Sequence, residues 1–181
     1  MKPKFFSFII LLSMFSCVNP EARKPVLRKS SSVMQESIEF NKALIAAQEN
    51  AFEKFIKQDS VSTYFLSNFG FKYKINTKAS TNYYPKKGDE ITYTYEVYDI
   101  NMQPIYTKNQ IGVQKYIVDQ QEIVDGLREG LKLMNAGDDV TFLFPSHKVF
   151  GYLGDQKNIE VNQPLIYKVQ LIKINKQNES N

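Results

Sequence analysis

Hydrophobic and polar positions follow three regimes along the chain. Phe5 to Phe15 is apolar with only Ser7 and Ser13 as breaks. From Met34 to Ile56 the apolar residues recur in helical steps, at Met34, Ile38, Ile45, Phe52 and Phe55, flanked by Leu44, Ala51 and Ile56. Glu36, Glu39, Lys42, Glu49, Glu53, Lys54 and Lys57 mostly take the other face, as in an amphipathic helix. Beyond Phe71 the period shortens to two, the signature of half-buried strands.

Ser32 reads as the N-cap of the helix, with Gln35 three residues on as in a capping box. Ile38, Ile45 and Phe52 are spaced by seven, so residues 33–58 offer either a homodimer seam or a face for their own domain. Asn41 and Gln48 near that seam argue against a long coiled coil. A second, shorter helix is expected from Asp59 or Ser60, burying Val61, Tyr64, Phe65 and Leu66 and stopping at Asn68 and Gly70.

Strands are expected at Phe71–Ile75, Glu90–Asp99, Pro104–Thr107, Val113–Val118, Asp138–Phe144 and Leu165–Ile174. In the strongest, Ile91, Tyr93, Tyr95 and Val97 share one face and Thr92, Thr94 and Glu96 the other. Ile123, Leu127, Leu131 and Met134 predict one helix over about 122–134, where Gly126 and Gly130 lower the intrinsic propensity, so packing on the sheet must hold it. The fold class is α+β, with a helix on a sheet face and a helical arm before it.

The apolar run near the start follows Lys2 and Lys4 and spans about 16 Å as a helix, too short to cross a bilayer. It fits a signal peptide over residues 1–16. Ser16-Cys17 at its end looks like the lipobox of a bacterial lipoprotein, with Cys17 lipidated; the alternative is an ordinary signal peptide and an incidental Cys. Residues 17–32 hold Pro20, Pro25 and four Lys or Arg, the composition of a solvated tether. The arm then covers 33–70, the sheet domain 71–175 and a polar tail 176–181. Val18 after the Cys favours the outer membrane in a periplasm-facing envelope location.

Loss of Lys2 and Lys4 with the leader lowers 23 Lys and Arg to 21 against 19 Asp and Glu, which makes no case for nucleic-acid binding. One His and one Cys exclude most zinc sites, any internal disulfide and a Cys-x-x-Cys pair. No phosphate-cradling Gly motif is present, so no metal or cofactor is expected. His147, after Pro145-Ser146, reads as a structural loop residue, and Asp138 and Asp139 after Gly137 as solvated turn residues. An unusually aromatic and aliphatic sheet remains, the raw material of an apolar pocket.

Four segments in order resemble the FKBP-type peptidyl-prolyl isomerases. They are Tyr84-Pro85-Lys86-Lys87-Gly88-Asp89 before Tyr93-Thr94-Tyr95; Ile123 through Leu131 with Met134 and Gly137; Phe144-Pro145-Ser146-His147 with Phe150-Gly151; and Pro164 through Leu171. The resemblance spans about 84–174 and implies a twisted antiparallel sheet wrapped around the short helix, with a pocket between. It also implies catalytic positions at Tyr95, Val124, Phe150 and Tyr167, and substrate-binding positions at Ile105, Tyr106, Ile123, Leu127 and Ile159. The Val124 N–H matches the donor for a substrate carbonyl. Ile105 stands for a usual Phe, Tyr106 for an Asp, Leu127 for a Trp and Phe150 for a Tyr. The implied partners are proline-containing polypeptide segments, and the implied activity is either X-Pro isomerisation or binding with little turnover. Arm and lipobox together are similar to the lipidated FKBP-type proteins of gliding-motility machinery, which implies a motility or secretion partner as the second option.

Overall fold

The structure, a computed structural model, describes residues 30–59 and 61–177. The expected leader, Cys17, the tether up to residue 29 and the end of the tail lie outside the described residues. The chain divides into compact units of 1–36 and 37–181, and of the first only the opening of α1 is described.

Helix α1 runs Ser30–Gln58, so Ser32 lies inside the first turn and is not the cap. Among the described residues of 59–70 no second helix forms. Val61 is 96% exposed, and Phe65–Leu66 forms strand β1. Asp59 accepts the hydroxyls of Ser62 at 2.8 Å and Tyr64 at 3.0 Å and pairs with Lys74, which draws the segment out beside the next strand. There Phe65 faces Tyr73 with ring centroids 5.6 Å apart. Cross-strand contact overrides a local spacing that suits a helix.

The remaining elements are β2 (Lys72–Thr77), β3 (Glu90–Tyr98), β4 (Pro104–Tyr106), α2 (Lys108–Ile111), β5 (Gln114–Ile117), α3 (Asp125–Leu131), β6 (Asp139–Phe144) and β7 (Leu165–Asn175). The sheet is antiparallel throughout, in the order β1-β2-β6-β7-β3-β4, with β5 also on β3. Thus β4 and β5 share the outer edge of β3, joined through α2. Helix α3 is shorter than expected. Asp138 is buried, not solvated as a turn aspartate would be: it accepts the N–H groups of Asn135 and Ala79, both at 2.7 Å.

Both faces of the sheet are covered. On one, Leu127, Leu131 and Met134 pack on Ile91, Tyr93, Val97, Phe142, Tyr167 and Val169. Gly126 and Gly130 are explained here, because a Cβ would lie 2.8 Å from the Phe144 ring at the first and 3.0 Å from the Phe142 ring at the second. The helix must present bare backbone for these rings to reach it. On the other face α1 lays Phe52 on Leu143 and Ile166, with Phe55 and Ile56 alongside. Phe52 is therefore spent within the chain, while Ile38 and Ile45 stay exposed at 42% and 43%.

Candidate active site

The aromatic residues of β3 and β7 meet where their inward faces converge. Tyr95 stacks on Tyr167 at 5.4 Å with planes 7° apart, and Tyr93 continues the stack at 5.9 Å. Phe144 meets Tyr167 edge-on at 5.3 Å. Val124 sits at the N-cap of α3, its carbonyl accepting the Arg128 N–H at 3.0 Å. An N-cap N–H takes no part in its helix's own bonds, so this donor is not consumed by α3.

All nine positions expected to form the site join one apolar cluster. Leu127, Ile159 and Tyr167 are buried in it; Tyr95, Ile105, Tyr106, Ile123, Val124 and Phe150 are half-buried and pack against it. His147 lies instead in the 3-10 turn Ser146–Lys148, where burial and then neighbouring Lys148 hold its imidazole below the ordinary value, against Glu49.

The phenols offer no base. Burial raises the hydroxyls of Tyr93, Tyr95 and Tyr167 above the ordinary tyrosine value, so they stay protonated near neutrality. The rim adds one ion. The Tyr106 hydroxyl donates to Asp155 Oδ2, while Asp155 Oδ1 accepts the N–H groups of Lys157, Asn158 and Ile159 at 2.8–2.9 Å. Burial opposes the charge, but these bonds prevail and hold the carboxyl down at about 2. They wrap the loop after Gly154 so that Ile159 drops into the core. Gly154 has φ +61°, and a Cβ there would strike the Ile159 carbonyl oxygen at 2.3 Å. The sequence reading missed Asp155; its signal is a Gly-Asp pair opening a polar loop that ends on an isoleucine.

A strongly aromatic antiparallel sheet packed on a short helix is the arrangement expected of an FKBP domain. The profile of the FKBP-type peptidyl-prolyl cis-trans isomerases matches residues 81–172, and the chain belongs to that family. It is also similar to the probable FKBP-type peptidyl-prolyl cis-trans isomerase FkpA of Neisseria meningitidis serogroup B, with 26% identity over 158 residues. That match takes in 85% of this chain and 56% of the relative, so the chain spans about half the length of the curated relative it matches. Neither likeness supports the narrower resemblance to gliding-motility proteins.

Proposed function

We propose that the protein catalyses cis–trans rotation about X-Pro bonds of polypeptides in the apolar site lined by Tyr95, Val124, Leu127, Ile159 and Tyr167. The observation that carries this is the convergence of those side chains on one cluster, with Val124 at the N-cap of α3 among them. Amide rotation faces a barrier of about 18–20 kcal/mol because resonance keeps the C–N bond planar. The twisted amide has lost that resonance, and its carbonyl is less polar than in the planar state. A dry, apolar surrounding thus favours the twisted form over the planar one, which is differential binding of the transition state. The Val124 N–H is suited to hold the substrate carbonyl, and no side chain needs to exchange a proton. We further propose that Cys17 carries a lipid that tethers the domain to the periplasmic side of the envelope, at the outer membrane, where it acts on exported chains.

Exchange on a short X-Pro peptide, followed by NMR without a coupled protease, tests the site. Val124→Asp should slow it at least about a hundredfold, because an unpaired carboxylate among apolar groups costs several kcal/mol. A folded variant that keeps the parental rate would overturn the reading. Weak binding without turnover is the second reading, favoured by Phe150, which brings no hydroxyl, and by Tyr106, whose hydroxyl is taken by Asp155; peptide binding with no exchange in the parent protein would select it. For the anchor, Cys17→Ser should release the protein from membranes into the soluble envelope fraction.

A further inference from the structure

The substrate of the reading above is a chain, and residues flanking its proline must cross the surface beside the site. On one side that surface is not flat. Between α1 and the turns after β6 lies a groove of about 500 Å³, within the range of ligand-binding clefts. Leu44 and Ile45 form one wall, and Val149, Phe150, Tyr152 and Leu153 form the other. Phe150 also packs against the apolar cluster of the site, so its ring is a wall common to both. Tyr152 is 75% exposed and Leu153 57%, and with Ile45 they make an apolar rim.

The groove is held open by buried bonds. The Gln48 side chain donates from Nε2 to Ser146 Oγ and to the Asn162 carbonyl, and its Oε1 accepts the Ser146 N–H, each at 2.9 Å. One amide of α1 thereby fixes its wall to both segments opposite, so little ordering remains to be done when a ligand enters. Among the described residues no Asp, Glu, Lys or Arg lines the groove, while the amides of Asn41 and Asn162 do. Such a lining, apolar apart from Ser146, His147 and the two asparagines, suits an uncharged stretch of polypeptide, with side-chain amides available to its backbone.

We propose that this groove receives the apolar segment flanking the prolyl bond, so that the protein selects prolines set beside hydrophobic stretches of non-native chains. The proposal rests on the isomerase reading. It commits to substrate as the occupant because Phe150 both lines the groove and packs against the apolar cluster of the site.

The test compares two peptides on the full chain: a four-residue X-Pro peptide and a twelve-residue peptide with the same centre and a Leu/Phe-rich flank. In the parent protein kcat/KM for the long peptide should exceed that for the short one by about tenfold or more. The ratio should fall toward one when the flank is changed to Ser and Gly, and also in the Ile45→Asp/Leu153→Asp double variant. Equal values for both peptides in the parent would overturn the groove while leaving the isomerase reading intact. Failure to exchange either peptide would overturn the isomerase reading instead. Fluorescence anisotropy of the labelled long peptide then decides the groove, with weaker binding to the double variant expected and equal binding fatal. Sedimentation closes the remaining route: a parent dimer that the double variant turns into a monomer would assign the groove to a second copy and overturn the proposal.

Discussion

The two faces of the sheet are built from different materials. Under α3 the contact is large and almost wholly apolar, running from Phe71 through Phe142 and Phe144 to Tyr167 and Leu171. Under α1 three buried side chains, Phe52, Leu143 and Ile166, are reinforced by polar ties: Gln48 to Ser146, and Lys72 to Glu49 and Glu53 at 2.7 Å. The first face makes a core whose rim is the candidate site. The second holds an accessory helix in register, and hydrogen bonds supply the direction that a small apolar patch lacks. Apolar burial gives magnitude, and polar ties give position.

The sharpest way to break this contrast is to truncate one ring on each face. Phe142→Ala, in the large core, should cost about 3–5 kcal/mol and lower the denaturant midpoint of the whole domain, because neighbouring rings cannot close the space. Phe52→Ala should sit near ~3 kcal/mol, the low end of that range, since α1 can shift to fill part of the gap. Amide hydrogen exchange in the second variant should rise in α1 and leave β3 and β7 protected. Equal exchange across both layers would show that the two faces unfold as one. Gln48→Ala is a smaller step. It strands the Ser146 N–H in a buried position, for about 1–3 kcal/mol, and urea unfolding measures it.

The mildest effect belongs to the rim and depends on pH. The Asp155 carboxyl sits at about 2 in the folded protein against an ordinary 3.8, so folding depresses its value. The stability this adds is complete above the ordinary value and lost as pH falls through that value toward 2. The Ile159 amide signal should thus hold its folded position at pH 5 and move as pH drops from about 4 to 2. In Tyr106→Phe, which lacks one of the bonds holding the charge, the movement should begin at higher pH. A parental titration in that variant would remove Tyr106 from the account.

Much of the face under α3 was legible because its signals are local. Alternation in β3 placed Ile91, Tyr93, Tyr95 and Val97 together, and the paired inward runs of β3 and β7 brought Tyr95 to Tyr167. The second covered face had a signal that alternation alone does not use: Phe142-Leu143-Phe144 and Leu165-Ile166-Tyr167 are unbroken apolar runs, as strands buried on both sides require. Gln48 was readable as a polar intruder on an apolar stripe, but its partners Ser146 and Asn162 are distant in sequence, and no spacing rule joins them. Phe65 and Leu66 were misplaced for the opposite reason. Their local pattern is helical, and only the strand beside them, with Tyr73 and Lys72 as partners, decides otherwise.

One feature of the sheet bears on how such a protein survives its work. Its outer strands are stubs: two residues in β1, three in β4 and four in β5. A sheet margin normally exposes a row of free backbone donors and acceptors on which any extended chain can add itself as another strand. A protein that acted on non-native chains, as proposed above, would meet such chains constantly. Margins this short give an incoming strand few ladder bonds before the path ends. On the function proposed above, an unfolded substrate held by its side chains would find little border on which to add itself as a strand.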